Sequence, residues 1–308
     1  MGDGRLDGSF ESSLKISSDI WDIFEKNEYM GQKLKDFFLL TRPLNVFIGM
    51  VSIFMGAFVT GTIQPLGKVL LASLSGGLIT AAANAINDYF DVEIDRINKP
   101  ERPVASGRIS RKEAYIFSMV LFIAGIGLSI FVNWKALIVA ISSSVLLYFY
   151  SAKLKRTVLW GNLTVSLVSA LAFIYGGIAV NRLEIALIPA IFAFFYHLAR
   201  EIIKDTEDVA GDQADGIVTF PIRYGSRRAL MLASAIYLFL IALTLLPYFL
   251  HIFGIYYLFI VLIVVDAVIL LALVSMWRNS DPQNLSRLSL ILKLNMFAGL
   301  IAIYCGQF

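Results

Sequence analysis

Long apolar runs alternate along this chain with polar breaks, at a length set by hydrocarbon thickness rather than by a globular core. Nine such runs fall at residues 44–63, 66–87, 114–132, 136–152, 158–180, 183–203, 229–250, 252–276 and 288–305. Each is close to the roughly 20 residues that a helix needs to cross a bilayer. The pattern therefore predicts an all-α, polytopic membrane protein with nine transmembrane helices. The connections within the pairs 1–2, 3–4, 5–6 and 7–8 are tight, whereas those after the second and sixth runs are long and polar, at about residues 88–113 and 204–228. Ahead of the first run, Phe10, Leu14, Trp21 and Phe24, and then Met30, Leu34, Phe37 and Phe38, recur at near-helical spacing. That spacing predicts helices lying on the membrane surface. The chain thus divides into an interfacial segment over 1–40 and a membrane domain over 41–308.

Composition agrees with the pattern. With 58% hydrophobic residues, 16% charged residues and a mean hydropathy of +0.74, the chain is too apolar for an ordinary soluble protein of this size. The first thirty residues mix charges without a continuous apolar core, unlike a secretory signal peptide. One cysteine, Cys305, leaves no disulfide framework and no cysteine-based zinc site. His197 and His251 stand alone in apolar surroundings and are expected to pack.

The net charge of +3 matters less than its placement. Lys33, Lys35, Arg42, Arg96, Lys99, Arg102, Arg108, Arg111, Lys112, Lys153, Lys155, Arg156, Arg200, Lys204, Arg223, Arg227, Arg228, Arg278 and Arg287 fall on one side of the nine runs, and Lys68, Lys135 and Arg182 on the other. By the positive-inside rule the first side is cytoplasmic, with the N-terminus, and the C-terminus lies opposite. No stretch calls for a nucleic-acid partner.

The chemistry-bearing residues cluster after the second and sixth runs. In the first cluster Asn87, Asp91 and Asp95 lie four residues apart, with Asp88 three before Asp91. If the helix before them continues, all four share one face. Like charges so close need a counter-ion, and hard oxygen donors without Cys or His favour Mg2+ or Ca2+. The second cluster, Asp205, Asp208 and Asp212, repeats the spacing at a constant offset of 117, and Val209 repeats Val92. Such a repeat predicts an internal duplication. Four spans separate the clusters, so the halves would run parallel across the membrane. Asp266 stands apart near the middle of the eighth run, where a charge is costly; a pairing with Lys293 and a protonated carboxyl are both open readings.

The stretch from Asn87 to Gly107, NDYFDVEIDRINKPERPVASG, resembles the first motif of the UbiA superfamily of intramembrane prenyltransferases. DTEDVAGD, from Asp205 to Asp212, resembles its second. Thr41, Arg42, Pro43 and Asn45 are similar to that family's Arg-Pro start of helix 1, and Tyr148 to Arg156 to its loop after helix 4.

The resemblance implies nine helices around a central cavity, a polyprenyl diphosphate donor, and Mg2+, two ions by expectation, held between the motifs. By this match Asn87, Asp91, Asp95, Asp208 and Asp212 would bind metal, with Asp88 and Asp205 as ligands or as groups that orient them. Asp91, Asp208 and Lys153 would carry catalysis. Arg42, Arg96, Arg102, Lys153, Arg156 and Lys204 would face the diphosphate. Asn84 and Glu201 would contact neighbouring groups or the acceptor, and Tyr148 and Tyr150 would face the allylic cation.

The motif phrases are most similar to the ether-lipid-forming branch of that family, whose donor is geranylgeranyl diphosphate and whose acceptor is the hydroxyl of geranylgeranylglyceryl phosphate. Aromatic acceptors of the quinone and chlorophyll branches are the alternative. Outside the family, a divalent-cation transporter would hold its acidic groups near the midplane, not at span ends. A CDP-alcohol phosphatidyltransferase would carry Asp-Gly and Ala-Arg pairs that residues 88–96 lack.

Overall fold

The computed structural model describes residues 30–214 and 216–306; Phe10, Leu14, Trp21 and Phe24 lie outside them. Among the described residues the secondary structure is entirely helical. Helix α1 (Met30–Leu40) is followed across a 48° bend by α2 (Pro43–Phe58). Then come α3 (Leu66–Phe90), the short α4 (Val92–Asn98), α5 (Arg111–Ile130), α6 (Trp134–Ala152), a 3₁₀ turn (Leu154–Arg156) and α7 (Trp160–Ala179). The second half runs α8 (Leu183–Glu207), α9 (Val209–Ala214), α10 (Phe220–Tyr224), α11 (Ser226–Phe249), α12 (Ile255–Ile260), α13 (Ala267–Arg278) and α14 (Pro282–Cys305). A π-helical turn at Val261–Asp266 joins α12 to α13 as one span.

Eight helical segments are long and apolar enough to cross a membrane, and the bent pair α1–α2 makes up to nine. Every predicted run holds a helix, although α2 stops at Phe58, five residues before the end of the first run. The outer surface is apolar, with Val120, Ile123, Ile138, Ile263 and Leu271 exposed, as a lipid-facing wall requires. α1 is amphipathic: Met30, Leu34 and Phe38 are exposed, whereas Leu40 is buried and Phe37 stacks on Phe117 of α5.

Small residues let the inner helices approach closely, as is common between membrane spans. Gly56 of α2 and Gly176 of α7 face each other so tightly that a Cβ on either would collide with the other helix's backbone. Ser75 of α3 bonds Gly125 O of α5 at 2.7 Å and the Tyr175 hydroxyl of α7 at 2.8 Å. In the second half Tyr196 of α8 donates to Leu292 O of α14 at 2.8 Å.

Asp266, buried in the π-helical turn, hydrogen-bonds the Thr244 hydroxyl at 3.2 Å rather than pairing with Lys293. Asn295 of α14 donates to the Val265 carbonyl of the π-turn at 3.0 Å. His251 departs from the packing expectation: it is exposed, in a left-handed turn with φ 55° after α11.

Candidate active site

Both aspartate motifs sit where a long helix breaks. α3 and α8 each run 25 residues, past the end of the apolar stretch, and stop at Asp91 and Asp208. Asp91 has φ −95° and ψ 5°; Asp208 has φ −88° and ψ 2°. Across each break the helical bonding pattern persists: Asp91 N donates to Asn87 O at 2.9 Å and Asp95 N to Asp91 O at 2.7 Å, while Asp208 N donates to Lys204 O at 3.0 Å and Asp212 N to Asp208 O at 2.9 Å. The duplication read from spacing is thus a duplication of backbone geometry.

The first motif is neutralised by cations in two sets. Asp88 and Asp95, both buried, form one: Arg102 lies 2.6 Å from Asp95 Oδ2 and 3.3 Å from Asp88 Oδ1, and Arg42 bonds the same Asp88 oxygen. Arg42 can reach inward because it occupies the left-handed corner between α1 and α2, φ 52°, ahead of Pro43. A residue before proline is disfavoured in the helical region, so the helix must break there. Asn84 fastens that corner from below, donating to Thr41 O at 2.7 Å.

Asn87 and Asp91 form the second set. The Lys155 ammonium bonds Asp91 Oδ1 and lies 3.2 Å from Asn87 Oδ1. Burial lowers the pKa of Lys155 below the ordinary lysine value, against the upward pull of Asp91. Lys153 and Arg156, predicted to face this site, are exposed and make no ion pair with the aspartates, although Arg156 stays within electrostatic reach of Lys155. The 3₁₀ turn that follows α6 presents only its middle residue to the aspartates. Gly161 makes this possible, because a Cβ there would lie 2.9 Å from Lys155 Cα. Arg96 also turns away, pairing with Glu93 at 2.8 Å on the exposed face of α4.

In the second motif Asp205 accepts a 2.8 Å bond from buried Asn162 of α7. Lys204 reaches Asp208 at 3.3 Å, and Glu201 pairs with Arg200 at 2.5 Å. Asp208 remains 46% exposed, against 13% for Asp91. Tyr150, at the end of α6, lies within electrostatic reach of Asp91 on one side and of Glu201 and Asp205 on the other. Lys99, just past α4, is likewise within reach of Lys204. Burial and then the neighbouring Arg102 and Lys204 lower the Lys99 pKa. Tyr148 belongs to an aromatic group with Phe90 at 5.7 Å and Phe149 at 6.1 Å between ring centroids.

Below the motifs lies a cavity of about 530 Å³, walled by α2, α3, α6, α7, α8, α11, the α12–α13 span and α14. Asn84, one turn before Asp88, and Lys204, one turn before Asp208, line it. The interior is largely apolar, with Val165, Val168, Phe173, Phe192 and Phe297 among its walls.

The donor set suits a hard divalent cation. Asn87 and Asp91 offer hard oxygen atoms of the kind such a cation takes, here accepting from the Lys155 ammonium, and no three His, Cys, Asp or Glu side chains among the described residues converge into a ready-made metal site. Asn162 and Lys155 escape sequence reading. Neither belongs to an aspartate motif, and the only signal was a polar residue at the polar end of an apolar run.

The UbiA prenyltransferase family model matches residues 49–299. The chain is 38% identical to the digeranylgeranylglyceryl phosphate synthase of Methanothermobacter thermautotrophicus over 87% of this chain and 94% of that one. It is 37% identical to the synthase of the same name from Methanopyrus kandleri, over 85% and 96%. Among solved structures, one described as giving structural and mechanistic insights into digeranylgeranylglyceryl phosphate synthase in membranes superimposes with a TM-score of 0.77 at 35% identity, covering 89% of this chain and 98% of that one. A UbiA homologue from Archaeoglobus fulgidus bound to GPP and Mg2+ superimposes with a TM-score of 0.65 at 20% identity, covering 87% and 99%. The overall fold therefore has solved counterparts, and this chain belongs to the UbiA prenyltransferase family.

Proposed function

We propose that this protein transfers a geranylgeranyl group from its diphosphate to the free hydroxyl of geranylgeranylglyceryl phosphate, releasing diphosphate, in the synthesis of archaeal membrane ether lipids. The observation that carries the reading is the pair of matched helix breaks at Asp91 and Asp208, at the polar end of an apolar cavity. The acceptor follows from relatives of that name at 33–40% identity.

Asn87, Asp91, Asp95, Asp208 and Asp212 would hold Mg2+, two ions in our reading, and Asp88 and Asp205 would orient them through Arg42, Arg102 and Asn162. The metal supplies neutralisation of charge on the departing diphosphate. Lys155 adds a fixed positive charge beside Asp91, where it would meet the diphosphate as negative charge grows on the bridging oxygen. The allylic C1–O bond breaks with its electron pair going to diphosphate, and the acceptor hydroxyl oxygen forms the new bond to C1. The hydroxyl proton is released, so the ether, diphosphate and one proton balance the reaction. Tyr150, between the two motifs, would offer its ring to the allylic cation. The apolar cavity would take the prenyl chain and keep water from C1.

The distribution of Lys and Arg supports an orientation with both motifs facing the cytoplasm. In this reading residues 1–40 form an interfacial segment and 41–308 the catalytic membrane domain.

The test is an assay in detergent or vesicles with Mg2+ and labelled geranylgeranyl diphosphate, offering geranylgeranylglyceryl phosphate and 4-hydroxybenzoate in parallel, with EDTA as control. Mg2+-dependent product with the glyceryl phosphate alone is expected. Product with the aromatic acid alone would overturn the acceptor.

A further inference from the structure

Prenyl transfer itself uses one anion, the diphosphate at the aspartates. The cavity holds more positive charge than that anion needs, and holds it deeper. Arg200 and Lys293 both line the cavity wall, from α8 and α14. Arg200 lies eight residues before Asp208 on α8, roughly 12 Å deeper at 1.5 Å per residue. One of its terminal nitrogens pairs with Glu201 at 2.5 Å and the other approaches Ser289 Oγ of α14 at 3.4 Å. Its Nε is buried and has no hydrogen-bond partner, as is Nδ1 of His197, which also lines the cavity.

Lys293 is one helical turn after Ser289, on the same face of α14. The two helices are locked in antiparallel register by the Tyr196 bond to Leu292 O at 2.8 Å and the Arg200 contact with Ser289. Lys293 is therefore set at the depth of His197, within about two turns of Arg200. Charges inside a membrane span are costly and are kept where they face a partner or a polar ligand. Asp266 is not that partner, since it is bonded to Thr244. Arg200 and Lys293 thus line the same cavity from neighbouring helices; Arg200 is paired with Glu201, and Lys293 makes no ion pair with the described residues.

We propose that Arg200 and Lys293 bind the phosphate monoester of the acceptor and so select a phosphorylated acceptor over its neutral counterpart. The depth fits. An acceptor whose hydroxyl meets C1 of the donor carries its phosphate a few ångströms further from the aspartates, on the cavity side. Guanidinium and ammonium groups are the side chains best suited to a phosphate. This inference rests on the glyceryl phosphate acceptor proposed above, and it assigns that acceptor's specificity to residues outside both aspartate motifs.

The experiment compares wild type, R200Q and K293Q with labelled geranylgeranyl diphosphate and two acceptors, geranylgeranylglyceryl phosphate and dephosphorylated geranylgeranylglycerol, under saturating Mg2+. Wild type is expected to prefer the phosphorylated acceptor. Each variant is expected to raise KM for that acceptor by roughly 10- to 100-fold, with KM for the donor unchanged and the preference over the neutral alcohol reduced by the same factor. Lys293 makes no ion pair with the described residues, so K293Q decides should R200Q fail to fold through loss of its Glu201 partner. Variants that keep the wild-type preference, or that raise the donor KM instead, would overturn the assignment. Wild type that makes no product from the glyceryl phosphate would instead overturn the acceptor itself.

Discussion

Lys155 holds Asp91 and Asn87 together through one ammonium nitrogen, although 64 residues separate it from Asp91 in sequence. Its neighbours Lys153 and Arg156 carry the same charge but are exposed and make no ion pair with the aspartates. The 3₁₀ turn therefore selects one cation of three for the site. K155M is expected to lower kcat/KM for the prenyl diphosphate by at least roughly 100-fold, the scale of losing one fixed electrostatic contact at a charge-developing centre, while K153M stays close to wild type. Steady-state prenyl transfer in vesicles measures both. A K153M enzyme that is inactive beside an active K155M would reverse the assignment.

Gly161 acts on the same lysine from beneath. A methyl group at 161 would press on the Lys155 backbone at 2.9 Å and on Leu154 O at 3.1 Å, so the turn must shift. G161A is expected to lose much of the activity that K155M loses while keeping a near-normal unfolding midpoint. Because both act by one route, the G161A/K155M double variant should be no worse than K155M alone. Additive losses would mean that Gly161 matters for some other reason.

Arg102 serves stability. It is the link between Asp88 and Asp95, both buried, and its removal leaves Asp95 without its 2.6 Å partner. Breaking a buried pair on one side costs about 3–5 kcal/mol. R102Q should therefore lower the thermal unfolding midpoint in detergent clearly, whereas R96Q, which loses only an exposed pair with Glu93 worth about 0–1 kcal/mol, should leave it in place. Equal midpoints for the two variants would contradict the bridging role.

The spans were legible in the sequence because hydrocarbon imposes a length on them, and every apolar run became a helix. Their ends were less so. α3 and α8 continue to Phe90 and Glu207, beyond the predicted ends at 87 and 203, since backbone bonds carry a helix on through polar residues. The constant 117-residue offset gave the twin motifs, and the structure adds that the offset is kept in φ and ψ. Which basic residue meets which aspartate was not legible. Lysines 153 and 155 look alike in a list of charges, and only the turn between α6 and α7 tells them apart. The arginines at 96 and 102 differ for a similar reason: α4 is helical, so Arg96 falls on its solvent face, whereas Arg102 lies in the following turn and folds back over Asp95. Asn162 is one uncharged polar residue at the end of an apolar run, too weak a signal to single out, yet it supplies the hydrogen bond to Asp205.

The central claim is that the two motifs act as one metal and diphosphate site. The most direct measurement is Mg2+-dependent binding of a non-transferable geranylgeranyl diphosphate analogue, followed by calorimetry for wild type, D91A and D208A. Wild type should bind with Mg2+ and lose binding in EDTA, and each single variant should lose the Mg2+-dependent component while still folding, D91A with a lowered unfolding midpoint because it leaves Lys155 without its partner. If either variant keeps wild-type Mg2+-dependent binding, the motif it disrupts does not hold the metal, and the account of a shared site fails.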